Sequence, residues 1–197
     1  VIGEYIRIGP KMLDIGQYSA PAVADWDGDG RIDLILGEGT YGADSIYVYL
    51  NSGSNTSPQF ATGSERYIAY GEGRVMLCPA VADWDGDGLV DLLVGEDSGK
   101  INIFSRDPGK KAEAATFSGT LSSSGGEIRI PGARPTVVDW DEDGDLDIIC
   151  GGSDGLIYLI KNEGSAGKPS LSQPVPLMGE DVKKDTDMPN GWSCERH

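Results

Sequence analysis

Residues 21–38, PAVADWDGDGRIDLILGE, return as PAVADWDGDGLVDLLVGE at 79–96 and as PTVVDWDEDGDLDIICGG at 135–152. The first two copies agree at 14 of 18 positions, and Asp25, Asp83 and Asp139 stand 58 and 56 residues apart. A fixed period of this size is the signature of a repeat architecture, in which one supersecondary unit is stacked several times. It restricts the fold more than any other feature of the chain, because the same unit has to pack against copies of itself.

Each acidic stretch is followed by an apolar run, DLILGE, DLLVGE or DIICGG, and then by an alternating segment, SIYVYLN, KINIFSR or LIYLIKN. A period of two is that of a half-buried strand. A Gly/Ser/Pro-rich stretch leads to a further strand-like piece, ERYIAYGE, GEIRI or PVPLMGE, and a short strand, AVADW or TVVDW, precedes each loop. No segment sustains a helical period. Four antiparallel strands in roughly 57 residues have the size of one β-propeller blade, whereas a sandwich domain needs about 100. The abundant glycine, 29 residues, suits many short strands joined by tight turns.

The expected fold is therefore all-β: three four-stranded antiparallel repeats, each a β-propeller blade. Residues 1–19 read as the outer strand of a preceding blade, because EYIRIG resembles the RYIAYG that precedes the second loop. Residues 20–72, 73–130 and 131–180 read as the three blades, and 181–197 as a polar tail. Closing a propeller takes at least four blades. Three make an incomplete arc, completed by the rest of a longer polypeptide or by other protein chains.

The loops place Asp25, Asp27, Asp29 and Asp33 at positions 1, 3, 5 and 9. Asp83, Asp85, Asp87 and Asp91 repeat the pattern, as do Asp139, Asp141, Asp143 and Asp147. Carboxylates at this spacing point inward when the backbone curls round one centre. Glycine at position 6 (Gly30, Gly88, Gly144) permits the turn, and the carbonyl at position 7 (Arg31, Leu89, Asp145) supplies a further oxygen. An all-oxygen cage selects a hard cation, and this ligand number favours calcium over magnesium. About three calcium ions would raise the formal net charge from −16 to −10 by adding +6. The loop is not an EF-hand: position 12, where that loop carries a bidentate Glu, holds Leu36, Val94 and Cys150.

With these residues in view, the chain resembles the FG-GAP/VCBS repeat family, the calcium-loop blades of integrin α-chain propellers and of many secreted bacterial proteins. The resemblance covers about residues 20–162 and rests on the D-x-D-x-D-G-x-x-D motif. It implies one calcium per blade, held by the aspartates above in the loop joining the first two strands. The third copy departs in two places, with Glu142 for a glycine and Asp145 at the backbone-ligand position. Neither removes a ligand.

Several function classes fall away. Thirty-two acidic against 16 basic residues leave no basic stripe for nucleic acid. No run approaches 18 apolar residues, so no membrane span is expected. Val1 opens without a charged-then-apolar leader, which puts any secretion signal upstream or already removed. The one histidine is His197, so a Ser/His/Asp or Cys/His nucleophile system is not expected. Glu38 and Glu96 recur after the second strand but become Gly152, and read as surface residues, not a catalytic pair. Trp26, Trp84 and Trp140 read as packing anchors between blades, against the alternative of sugar-stacking platforms. Cys150 stands where Leu36 and Val94 do and reads as a core residue; Cys78 and Cys194 suggest no particular pairing. Asn55, in NTSP, is a weak glycosylation acceptor because Pro58 follows.

The expected function is non-enzymatic: a calcium-stabilised extracellular β-propeller module, secreted or at the cell surface. It would serve adhesion or ligand binding, with glycan one possible ligand. The alternatives are a structural subunit of a surface assembly and a non-catalytic domain of a secreted polysaccharide-degrading enzyme.

Overall fold

A computed structural model of the chain describes residues 6–16, 18–39, 45–61, 66–69, 76–107, 115–165 and 167–177. The described residues form antiparallel sheets and no helix. The first sheet is a meander of β3 (Ala20–Ala24), β4 (Asp33–Gly37), β5 (Ser45–Tyr49) and β6 (Arg66–Ala69), preceded by β1 (Arg7–Ile8) and β2 (Lys11–Met12). The second sheet orders β7 (Cys78–Ala82), β8 (Asp91–Gly95), β9 (Ile101–Ser105) and β10 (Thr116–Thr120) in the same way. The third follows the short β11 (Ser122–Ser123) and β12 (Gly126–Glu127). It comprises β13 (Arg134–Val138), β14 (Asp147–Gly151), β15 (Ile157–Ile160) and β16 (Val175–Pro176).

The register is the same in all three. Ala24 faces Asp33, Ala82 faces Asp91 and Val138 faces Asp147, so each acidic stretch is the connection between the first two strands. The apolar runs after the loops become second strands, with β4 and β8 buried throughout. A short continuous apolar run suits a strand covered on both faces.

Burial on both faces follows from stacking. Trp26, Ile35, Ile46 and Leu77 meet Leu92, Val94 and Phe104 in one core between the first and second sheets. Trp84, Leu93 and Ile101 meet Ile148, Cys150 and Ile160 in another, between the second and third. The leading face of the first sheet, Leu34, Leu36, Tyr49 and Phe60, is covered by Ile8, Leu13 and Ile15. The first strands lie side by side, β7 against both β3 and β13. A hollow of ≈ 260 Å³ beside them is lined by Tyr18, Ser19, Ala20, Met76, Cys78 and Arg134.

Glycine makes the stacking close. A Cβ on Gly37 would collide with the carbonyl oxygen of Leu77, and one on Gly95 with that of Ala133. At these joints Leu77 N–H donates to the Glu38 carbonyl (3.1 Å) and Ala133 N–H to that of Glu96 (3.2 Å).

Three expectations are corrected. The outer strand of the second sheet is β10, not GEIRI; Ile128 and Ile130 of that stretch turn into the core instead. EYIRIG contributes no outer strand among the described residues: β1 pairs with β2 as a hairpin, and Ile8 bridges Phe60. That hairpin matches β11–β12, where Ser123 bridges Leu171. Leu13 N–H donates to the Ile6 carbonyl as Ile128 N–H does to that of Leu121, which fixes the correspondence. Glu96 is buried, with Oε1 accepting from Ser98 Oγ (2.6 Å), whereas the sequence suggested a surface residue. The stretch 181–197, with Cys194 and His197, lies outside the described residues.

Candidate metal centres

The acidic loops are built by backbone-to-carboxylate hydrogen bonds. Asp25 accepts from the N–H groups of Asp29 (3.0 Å) and Gly30 (2.9 Å). Asp139 does the same for Asp143 (3.1 Å) and Gly144 (3.1 Å), and Asp83 accepts from Gly88 (3.0 Å). The position-5 aspartates tie down the residue two further on: Asp29 accepts from Arg31 N–H, Asp87 from Leu89 N–H and Asp143 from Asp145 N–H. Asp27 and Asp85 accept from Asp29 and Asp87 N–H at 3.3 and 3.2 Å. Each loop therefore curls its carboxylates toward one region.

The position-9 aspartates do different work. Both oxygens of Asp33 take backbone amides, from Trp26 (2.8 Å) and Asn51 (2.7 Å). Asp91 takes Trp84 (3.1 Å) and Arg106 (3.1 Å), and Asp147 takes Trp140 (3.0 Å) and Asn162 (2.7 Å). These three side chains are buried and pin the start of the loop to the end of the third strand. An ionised carboxylate accepting two amides is a strong anchor.

Ligand oxygens come within 4.8 Å of one another in three groups: Asp25, Asp27 and Asp29; Asp83, Asp85 and Asp91; Asp139, Asp141 and Asp147. Asp33, Asp87 and Asp143 stand outside these groups, and of Arg31, Leu89 and Asp145 the backbone N–H is held by the position-5 aspartate of the same loop. The donor set is oxygen alone, as a hard cation requires.

The loops differ electrostatically. Arg31 forms an ion pair with Asp29, and Lys161 Nζ lies 2.6 Å from Asp141 Oδ2. The second loop has no ion pair among the described residues. Burial pushes the Asp91 carboxyl up to about 6, with Asp85 adding charge repulsion. Burial and then the neighbouring Asp87 and Asp83 raise Asp85, whereas the hydrogen bond from Lys161 lowers Asp141. A cation would relieve the second loop most.

Some supporting residues were not picked out from the sequence. Asn51 Oδ1 accepts from Gly53 (2.9 Å) and Gln59 (3.0 Å) N–H; Asn162 Oδ1 accepts from Gly164 (3.0 Å) and Ser170 (2.9 Å). NSGSNTSPQF and NEGSAGKPSL carry these asparagines in register, and that second repeat was the available signal. Asn55 braces the first loop, accepting from Ile32 N–H (2.7 Å) and donating to the Gly30 carbonyl (3.3 Å). Its amide is thus occupied within the fold. Cys78 and Cys150 are free thiols, the latter buried as expected.

The molecule is a repeat protein whose antiparallel sheets stack face to face, each carrying one acidic loop between its first two strands. The FG-GAP-like repeat matches residues 25–94 and again 83–150, so the chain belongs to the FG-GAP-like repeat family. No curated protein and no solved structure matches it.

Proposed function

We propose that the three sheets are β-propeller blades, each stabilised by one calcium ion, in an extracellular module for adhesion or for holding a ligand such as a glycan. The observation that carries this reading is the threefold recurrence of one loop. In every repeat, carboxylate oxygens cluster within 4.8 Å with no nitrogen or sulfur donor among them. The side-by-side first strands support the propeller arrangement.

In this reading Asp25, Asp27, Asp29 and the Arg31 carbonyl hold the first ion. Asp83, Asp85, Asp87 and the Leu89 carbonyl hold the second, and Asp139, Asp141, Asp143 and the Asp145 carbonyl the third. Asp33, Asp91 and Asp147 complete each site while anchoring its loop. Calcium supplies charge neutralisation, not chemistry, and the reading is non-catalytic.

Loops without a bidentate Glu at position 12 belong with the weaker extracellular sites, with dissociation constants on the order of 10⁻⁴–10⁻³ M. Cytosolic calcium would leave such sites empty, which supports a secreted or cell-surface setting. Among the described residues no helix is long and apolar enough to cross a membrane.

A ligand that binds only the folded state stabilises it by mass action. Melting in millimolar calcium is expected well above melting in excess EDTA, and titration calorimetry should count about three ions. Asp85→Ala should lose one of them. Equal melting temperatures with and without calcium would remove the calcium reading, and a glycan array tests the ligand class.

A further inference from the structure

All three repeats build the hollow of ≈ 260 Å³ beside the first strands. Tyr18, Ser19 and Ala20 come from the first, Met76 and Cys78 from the second and Arg134 from the third. Ala20, Cys78 and Arg134 open β3, β7 and β13, facing Gly37, Gly95 and Gly151 in one register. The acidic loops leave the far end of the same strands, after Ala24, Ala82 and Val138. Hollow and loops are thus a strand's length apart, roughly 13 Å at about 3.3 Å per residue.

At the hollow the repeat breaks. The prolines one residue on recur unchanged as Pro21, Pro79 and Pro135, but the first position changes from Ala20 to Cys78 to Arg134. Two residues earlier stand Tyr18, Met76 and Gly132, which share a left-handed backbone at φ 55, 59 and 57. Glycine takes that conformation freely, whereas a side chain makes it costly. Tyr18 and Met76 therefore keep side chains where the third repeat manages with glycine, and both residues line the hollow. Backbone strain of this kind gathers at ligand sites.

Arg134 supplies a charge. Its guanidinium donates to Cys78 Sγ (3.0 Å) and Met76 Sδ (3.4 Å), both weak acceptors. The ion pairs among the described residues do not include it. Asp97 feels its charge only at a distance: burial raises that carboxyl and Arg134 pulls it back. A guanidinium so placed keeps its capacity for a bidentate anion. One cation against an otherwise uncharged wall suits a singly charged carboxylate, and a phosphate dianion would be left half neutralised. A slender Asp or Glu side chain would fill little of the space, whereas one sugar ring fits it.

We propose that this hollow binds a uronic-acid unit of a glycan, its carboxylate on Arg134 and its ring against Tyr18 and Met76. Tyr18 offers an aromatic face with a polar tip. The loop carboxylates lie beyond the screening length of about 10 Å at 0.1 M salt, so they repel this anion little. The proposal rests on the reading of the molecule as a module that holds a glycan, and does not depend on calcium.

Amide chemical-shift titration of the full chain in millimolar calcium, with glucuronate, glucose and glutarate, tests it. Glucuronate should shift residues 18–20, 76–78 and 134 with a dissociation constant on the order of 1 mM. Glucose should bind about tenfold more weakly or worse, and Arg134→Gln should cost glucuronate about the same factor. Tyr18→Gly is the decisive variant. It should melt no lower than the wild type, because it relieves the left-handed backbone, and yet bind glucuronate more weakly. A tyrosine with a purely structural role would not give that split. No shift at tens of millimolar glucuronate, equal affinity for glucose, tighter binding of glutarate or an acidic peptide, or indifference to Arg134→Gln would each overturn the proposal. A glycan array and melting with calcium and with EDTA separate the two readings. Neutral glycans bound without change at the hollow sink the uronate alone, and glucuronate bound by a calcium-indifferent protein sinks only the calcium sites.

Discussion

Arg106 reaches from the second sheet to lie over Trp26 of the first. Its guanidinium carbon sits 4.6 Å from the ring centroid, and Nη1 donates to the Trp26 carbonyl. Both residues are buried. Position 106 corresponds to Asn51 and Asn162 in the other repeats, so the second repeat gives up a loop-bracing asparagine and gains a cation that clamps its neighbour. A desolvated cation–π contact is worth about 2 kcal/mol, and an unpaired buried carbonyl costs about 1–3 kcal/mol. Arg106→Ala should therefore lose roughly 3 kcal/mol in urea unfolding. Because Trp26 opens the first acidic loop, the same variant should weaken calcium binding there.

The ion-free protein should lose stability as pH rises. Burial holds the Asp91 carboxyl at about 6, against 3.8 for the ordinary side chain, and Asp33 and Asp85 are raised as well. Between those values the folded chain keeps a proton that the unfolded chain has released. Stability from this source is complete below 3.8 and is lost as pH climbs through 6. Asp141 and Asp154 are lowered, so their opposite effect falls below 3.8, outside this window. Melting of ion-free protein is expected lower at pH 7 than at pH 5. Bound calcium, which favours the ionised carboxylates, should flatten or reverse that trend.

The three loops should fill in order. Arg31 and Lys161 already sit on Asp29 and Asp141, while the second loop has no such partner among the described residues. The second loop is expected to bind first in a calcium titration followed by amide chemical shifts. Lys161→Gln should tighten the third site by about two- to fivefold, the scale of an exposed ion pair. An unchanged third-site affinity would count against competition by the lysine.

Glu142 is held at φ 61, where the matching residues of the other loops are Gly28 and Gly86, both at φ 76. A left-handed backbone costs a side-chain-bearing residue about 1–2 kcal/mol, part of which glycine returns through its freer unfolded state. Glu142→Gly should therefore stabilise the protein by roughly 0.5–1 kcal/mol in urea unfolding. It should leave the third site's ligands in place.

The sequence by itself determined the repeat, the all-β class and the position of every loop aspartate. That information is local: the D-x-D-x-D-G-x-x-D spacing lies within nine residues and the strand alternation within five, and both are written three times. Cys150 was legible as core for the same reason, since its register matched Leu36 and Val94. The tertiary structure decided what depends on neighbours. Trp26 and Trp140 have the same local sequence setting and opposite exposure, because Trp26 packs against the sheet that follows its own and Trp140 has no such sheet against it among the described residues. GEIRI has the alternation of a strand, yet Ile128 and Ile130 serve the core between two sheets while β10 takes the outer edge. Glu96 is buried and Glu38 only partly so, although the same backbone bond from the next repeat reaches both carbonyls and the two share one sequence setting. Hydrogen-bond partners and buried area across a joint are properties of two units placed together, and no single unit's pattern of residues contains them.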